Sequence, residues 1–448
     1  MTHPAFSLLL KSIQKSISID EKAFIEAHSG VPITAIKINP NKVNDKSKLN
    51  FKIDDANKVI WAKDAYYLSQ RPAFYSDPLF YAGAYYVMDS SSMFLEYLLE
   101  VLNIDKQAIV LDIAAAPGGK SVILSNYLDE KGLLLSNEIN FNRAKILHYN
   151  LSKWGKSNFI VSNNITNTFK EIKNFFDLVL CDAPCTGSGL FRKYPEWKDS
   201  FNEQLIEQCV KRQKQILSNL FSSIQENGYL IYSTCSFTTE ENEDIVEFIL
   251  QNGFELIDIP IPENTGILKT ERGIRFFPHL TTSEGFFYSV FQKKVNTNHR
   301  SSYFLSKQKN TFITSLDKTP FKEYIDIKDS HTIVQWQKKL YLVSKKSELL
   351  LSYPLKFIGI GTTISEHPHY MPAAELALSI HLSPHLHKIN VSLTEAQQFL
   401  RKENLKFNLS KGIYLVKYQE IGLGWAKVLD NRINNYFPTE WRILKDIE

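Results

Sequence analysis

From residue 108 onward, short apolar runs alternate with longer stretches in which apolar residues recur at helical spacing. The runs predict strands at 108–112, 133–137, 158–162, 176–181, 228–233 and 286–291. The helical spacing predicts helices at 119–128, 140–154, 201–226 and 240–252. In 201–226, Leu205, Cys209, Ile216 and Leu220 share one face, and Gly228 stands just past the end. Thr238 and Glu241 have capping-box spacing ahead of the next helix. Strands alternating with helices imply an α/β fold, a parallel sheet with helices on both faces.

The flanks read differently. Phe6, Leu9, Leu10, Ile13 and Ile17 predict helical structure over 4–30, and VPITAIKIN at 31–39 alternates like a strand. The segment 41–58 is polar and lysine-rich, which reads as a loop. Residues 61–89 are dense in aromatics and prolines, which predicts irregular structure against a core or facing a ligand, and 90–103 return to helical spacing. Residues 293–312 are polar and basic and read as a linker. Beyond them TIVQWQ, LYLVS, FIGIGTTI, GIYLVKY and GLGWAKVL predict a β-rich C-terminal region.

At 448 residues the chain needs two or three domains. It contains no run of 18 apolar residues, so no membrane partner is expected. Four cysteines (Cys181, Cys185, Cys209 and Cys235) do not make a disulfide scaffold, and no signal peptide is evident, so a cytoplasmic location is expected. Charge is uneven. Residues 296–448 hold 21 Lys and Arg against 14 Asp and Glu, whereas the rest is net acidic. A basic C-terminal third fits a polyanionic partner or a plain lysine-bearing surface.

Candidate chemistry collects just after the predicted strands, where open α/β sheets hold their ligands. In VLDIAAAPGGKSVIL (110–124), Ala114, Ala115, Ala116, Pro117, Gly118 and Gly119 let a ligand approach the backbone. Lys120 then opens a helix whose N-terminal N–H groups suit an anionic group. Neither phosphate-binding glycine pattern is present, so the stretch indicates a nucleotide-like cofactor only in general terms. Glu138 follows the second strand, where it either accepts ribose hydroxyls or faces a helix dipole. Asp182 and Cys185 lie in DAPCTGSG, and Cys235 lies in YSTCSF. A thiol at a strand end beside a helix can be a nucleophile. With no C-x-x-C pair and no nearby histidine, no metal is expected at these cysteines.

DIAAAPGGKS, SNEI, DAPCTGSGLFRK, YSTCSF and GIRFFPH…EGFF, in that order over 60–292, resemble the RNA (cytosine-5)-methyltransferases. HYMPAAELALS (369–379) and GWAKVLDNRINNYFPTEWR (424–442) resemble the bacterial 16S ribosomal RNA subgroup, which has a PUA-like C-terminal region. The resemblance implies a Rossmann-like, S-adenosylmethionine-dependent core with a small α+β N-terminal domain. It implies methylation of RNA at cytosine carbon 5, in 16S ribosomal RNA, with tRNA or a non-catalytic assembly role as alternatives. The implied domains are an N-terminal RNA-contacting domain over 1–85, a catalytic domain over 86–294 and a PUA-like RNA-binding region over 313–448. A monomer is expected.

The resemblance also assigns roles. Cys235 attacks carbon 6, Asp182 steadies ring nitrogen 3, Cys185 helps remove the carbon-5 proton, and Lys120 orients Asp182 or the base. Residues 114–120, Glu138 and Asp182 hold the cofactor. The target base must leave its stack, and the aromatic segment with Arg192, Lys193 and Lys198 is placed to hold the strand. Two departures stand out. Relatives have an acidic residue for adenine where this chain has Ile165, with Asn164 beside it. Lys37, in a segment expected to contact RNA, replaces a common Arg.

Overall fold

The computed structural model describes residues 3–295, 313–314, 322–366, 371–403, 405–430 and 432–444. The stretch 4–30 forms two helices, α1 (Pro4–Ile13) and α2 (Glu21–Ala27). Asp20 restarts the helix by accepting the Ala23 N–H at 3.0 Å, as Ser, Thr, Asp and Asn do at N-caps. Phe6, Leu9, Leu10 and Ile13 of α1 pack with Phe191, Phe201 and Phe237, so α1 rests on the loops that carry the candidate cysteines.

A three-stranded antiparallel sheet follows, with β1 (Thr34–Ile38) between β2 (Ala65–Leu68) and β3 (Tyr85–Val87). The short α3 (Pro78–Tyr81) precedes β3, and α4 (Ser90–Val101) leads into the core. The aromatic segment is largely packing material: Trp61, Tyr66, Phe74 and Tyr85 are buried. Lys37 is also no RNA contact. It is buried on β1 and pairs with Glu96 of α4 at 2.6 Å.

The central sheet contains β4 (Ile109–Asp112), β5 (Leu133–Asn137), β6 (Phe159–Ser162), β7 (Phe176–Asp182) and β8 (Ile224–Thr234), all parallel. The helices α5 (Gly119–Tyr127), α6 (Phe141–Trp154), α7 (Glu203–Leu220) and α8 (Glu243–Leu250) connect or follow them. Two apolar clusters, one on each face, hold these helices to the sheet, which explains the unbroken apolar strands. After α8 come β9 (Phe254–Leu256), β10 (Leu268–Lys269), β11 (Ile274–Phe276) and β12 (Phe286–Lys293). The order β10-β11-β12-β8-β7-β4-β5-β6 reverses direction at β4, which places a crevice at the strand ends there.

Two local expectations fail. The helix predicted over 201–226 stops at Leu220, because Ile224 already pairs with Phe176 in the sheet; Gly228 lies within β8. The capping box does not form either. α8 starts at Glu243, and the Glu241 carboxylate is committed to a buried network described below.

The linker reading of 293–312 falls mostly outside the described residues. The C-terminal part begins with β13 (Ile313–Thr314), β14 (His331–Trp336) and β15 (Lys339–Ser344), followed by α9 (Ser347–Leu351). FIGIGTTI divides at Gly361, which has φ +50°, into β16 (Phe357–Ile360) and β17 (Thr362–Ser365). β17 closes a four-stranded sheet with β13–β15, whereas β16 adds an antiparallel edge strand to the central sheet beside β6. The remainder is α10 (Ala374–Ala377), β18 (Lys388–Asn390), α11 (Leu393–Leu400), β19 (Gly412–Tyr418), β20 (Ile421–Val428) and β21 (Ile433–Asn435). This last module shares one apolar core with the N-terminal sheet, in which Ile36, Tyr66 and Tyr85 meet Val391, Phe399 and Val416. No helix among the described residues is long and apolar enough to cross a membrane.

Candidate active site

β4 delivers Asp112 to the crevice. One carboxylate oxygen accepts the Ser121 hydroxyl at 2.7 Å; Oδ1 is buried without a partner. Burial pushes this carboxyl up to about 7. Residues 113–118 turn the chain into α5. Gly118 has φ +118°, and a Cβ there would also press on Leu147 at 3.2 Å, so glycine is required. Tyr86 and Met88 lie against Gly119, so the N-terminal sheet borders the turn.

At the end of β5, Glu138 is 3% exposed. One oxygen accepts the Asn140 N–H at 2.8 Å, and the other lies 3.4 Å from the Arg143 guanidinium. Arg143 also donates to the Ala116 carbonyl at 2.6 Å, bridging the Glu138 loop to the small-residue turn. Sequence reasoning missed Arg143, because its role depends on two loops meeting. Asn164, after β6, accepts from Lys356 N at 3.0 Å and donates to its carbonyl at 3.3 Å. That side chain is therefore committed to the segment before β16, and Ile139, Phe141 and Ile165 are exposed here.

Asp182 ends β7. Its two oxygens accept from Lys120 Nζ at 2.8 Å and Ser233 Oγ at 2.8 Å. Lys120 Nζ also sits 4.6 Å from the Phe286 ring centroid. The loop after Asp182 and the end of β8 then converge. The sulfurs of Cys185 and Cys235 are 3.2 Å apart, and both cysteines are free and half-buried. The adjoining Cys235 sulfur, together with burial, pushes the Cys185 thiol well up. Cys181 and Cys209 are buried.

Backbone contacts fix the loop. Gly189 N donates to the Cys235 carbonyl at 2.8 Å, and a Cβ at Gly189 would lie 2.4 Å from the Gly285 oxygen. Glu241 does the rest. It is fully buried and accepts from Thr186 N, Thr186 Oγ1, Ser236 Oγ, Thr238 Oγ1 and Gln213 Nε2. Arg192 is not available to a nucleic acid, since it is buried against Glu284 at 3.0 Å. Beside it Tyr194 and Trp197 stack at 4.6 Å, with Lys193 and Lys198 on the same short segment.

The crevice thus offers a small-residue turn at a helix N-terminus, an unpartnered buried carboxylate oxygen and an acid at the next strand end. Those groups fit an amino-acid-bearing nucleoside such as S-adenosylmethionine. The two thiols and the Lys120–Asp182 pair lie at the ends of the strands on the other side of β4.

Comparison with known proteins gives the same picture. Residues 99–292 match the family described as 16S rRNA methyltransferase RsmB/F. Residues 7–90 match the N-terminal domain of 16S rRNA methyltransferase RsmF, and 386–443 match the methyltransferase RsmF PUA domain. The ribosomal RNA small subunit methyltransferase F of Shewanella piezotolerans is 27% identical over 94% of this chain and 93% of its own. That of Psychromonas ingrahamii is 29% identical over 80% of this chain and 79% of its own. Among solved structures, a methyltransferase homolog from Pyrococcus horikoshii is 25% identical, with a TM-score of 0.54 over 65% of this chain and 98% of its own. NSun6 from Pyrococcus horikoshii, solved with SFG, shares the fold at 18% identity and a TM-score of 0.54, over 66% of this chain and 98% of its own. With all three matches in order along one chain, the protein is similar to the 16S rRNA methyltransferases RsmB/F from its N-terminal domain to its PUA domain and has an S-adenosylmethionine-dependent methyltransferase fold.

Proposed function

We propose that this protein methylates carbon 5 of a cytosine in 16S ribosomal RNA through a covalent bond between Cys235 and carbon 6. The observation that carries the reading is the 3.2 Å contact of two free thiols from two loops beside the Lys120–Asp182 pair. Bound S-adenosylmethionine supplies an electrophilic methyl group. The residues supply the rest. Carbon 5 of cytosine is a poor nucleophile until a thiolate adds to carbon 6. Cys235 forms the sulfur–carbon bond as its thiol proton is transferred to ring nitrogen 3, where the Asp182 carboxylate accepts the resulting N–H. Lys120 and Ser233 orient that carboxyl. After methyl transfer the carbon-5 proton passes to the Cys185 side, the sulfur–carbon bond breaks and the ring recovers its double bond. To take that proton Cys185 must itself be a thiolate, its own proton having passed to solvent, and it is a thiol again after the step.

The flipped base requires a splayed strand. The Tyr194–Trp197 stack with Lys193 and Lys198 adjoins the Cys185 loop, since the Trp197 ring packs on Gly187. Glu138 and the 114–120 turn hold the cofactor, and the C-terminal module adds RNA affinity. The test offers purified protein labelled methyl donor with 16S RNA, assembled small subunits and tRNA. Label confined to 16S RNA or subunits, at a cytosine mapped by bisulfite sequencing, is expected. Label in tRNA alone overturns the substrate, and no label together with RNA binding overturns catalysis.

A further inference from the structure

We propose that Glu130, His331 and His381 form a structural site for a divalent cation of the zinc type that clamps the C-terminal region to the catalytic core. Glu130 lies in the turn between α5 and β5, His331 opens β14, and His381 follows α10. Their ligand atoms all fall within 4.8 Å of one another. His331 Nε2 is 2.9 Å and His381 Nε2 is 3.6 Å from Glu130 Oε2. Ligands about 2.0–2.1 Å from a tetrahedral zinc stand roughly 3.3 Å apart, so these separations bracket the required edge.

A second observation comes from hydrogen bonding. His331 Nε2 and Glu130 Oε2 are buried atoms that approach to 2.9 Å without aligning as a hydrogen bond, and each lacks a partner. A cation shared between them would satisfy both atoms. His331 and His381 side chains are 0% and 1% exposed, whereas Glu130 is 24% exposed and leaves an entry path. The other ring nitrogen of His331 lies 3.1 Å from Ser330 Oγ, the outer contact that orients a ligating imidazole. Ser157 Oγ approaches His381 Nε2 at 3.0 Å and is the group an ion would displace. Lys156, nearby, points its ammonium at the Leu128 carbonyl. Two nitrogens and one carboxylate favour zinc over magnesium or calcium, which take oxygen cages.

The place in the fold fixes the role. Glu130 precedes β5, at the end of the sheet opposite Asp112, Asp182 and Cys235. The ion would tie two parts of the chain together and take no part in catalysis. The test uses the untagged full chain, stripped by chelator and titrated with zinc chloride by calorimetry, then loaded with cobalt(II) for its visible spectrum. One zinc per chain, a raised melting temperature and a tetrahedral cobalt spectrum are expected. His331→Ala and His381→Ala are expected to lower zinc affinity at least tenfold and to abolish the thermal response. Glu130→Gln, which keeps volume and hydrogen bonding, serves if a histidine variant does not fold, with the same losses expected. Wild type that takes up no stoichiometric zinc, or variants that bind it as wild type does, overturn the proposal.

Discussion

Glu241 Oε1 accepts the Thr186 N–H at 2.8 Å, so one buried carboxylate behind β8 fixes the residue next to Cys185. Its other oxygen takes the hydroxyls of Thr186, Ser236 and Thr238, and Ser236 is the residue next to Cys235. Glu241 therefore sets the spacing of the two thiols without touching substrate. Glu241→Gln places an amide among donors. Hydroxyls can reverse, but the backbone N–H of Thr186 cannot. We expect a stability loss of about 1–3 kcal/mol and a fall in kcat with little change in KM for RNA. Urea unfolding and steady-state kinetics decide; wild-type kcat would refute the positioning role.

Lys37 and Glu96 form a buried pair joining the N-terminal sheet to α4. Breaking such a pair strands a charge, at a cost of about 3–5 kcal/mol. Lys37→Ala is expected to lose that much in chemical denaturation, and Lys37→Met with Glu96→Leu is expected to regain most of it. RNA affinity of the double variant should equal wild type. A selective loss of RNA binding instead would return Lys37 to the interface.

The strands of the catalytic sheet were legible because each is buried on both faces and each ends in a residue that apolar packing alone does not require. Asp112, Glu138, Asp182 and Cys235 stand at such ends. Side-chain commitments were not legible. Arg192 reads as a cation for RNA but is held by Glu284, far away in sequence. Asn164, beside the position expected to meet adenine, instead holds the backbone of Lys356, in the segment before β16, a strand that spacing alone places with the C-terminal region. The pairing of β16 with β6 and the core shared by Tyr85 and Phe399 arise from long-range packing, which periodicity does not encode. Glu241 shows the same limit, since its capping-box spacing is real but buried hydroxyls claim the carboxylate first.

Asp112 gives a pH signature. Burial holds its carboxyl at about 7 in the folded chain, against an unfolded value near 3.8. Below the unfolded value both states are protonated and its contribution is fully present. As pH rises the unfolded state releases the proton first, so stability is lost up to about 7. Wild type should therefore weaken relative to Asp112→Asn between pH 4 and 7, in urea unfolding at each pH. Parallel curves for the two proteins would show that Asp112 ionises normally.

Glu138 tests the cofactor reading. Its carboxylate already accepts the Asn140 N–H, so one role is structural. If it also takes ribose hydroxyls, each charge-assisted bond is worth roughly 1.5–3 kcal/mol. Glu138→Ala should then raise the Kd for S-adenosylmethionine by at least about tenfold in calorimetry. Arg143→Ala, which loosens the turn but keeps the acid, should weaken binding less. Equal affinities for wild type and Glu138→Ala would confine Glu138 to the helix start.

The two thiols in contact need different tests, because their failures differ. Without Cys235 no bond to carbon 6 forms, so Cys235→Ala should abolish methyl transfer while leaving the melting temperature near wild type. Without Cys185 the attack and the methyl transfer can proceed, but the carbon-5 proton stays and the sulfur–carbon bond cannot break. Cys185→Ala should therefore accumulate a covalent protein–RNA complex on natural cytosine, seen as a slow band on a denaturing gel. The double variant should show none. The rival assignment makes Cys185 the nucleophile and predicts the mirror image, an adduct with Cys235→Ala and none with Cys185→Ala. One gel with both variants and 16S RNA separates the two assignments, and empty lanes for both would rule out the covalent route itself.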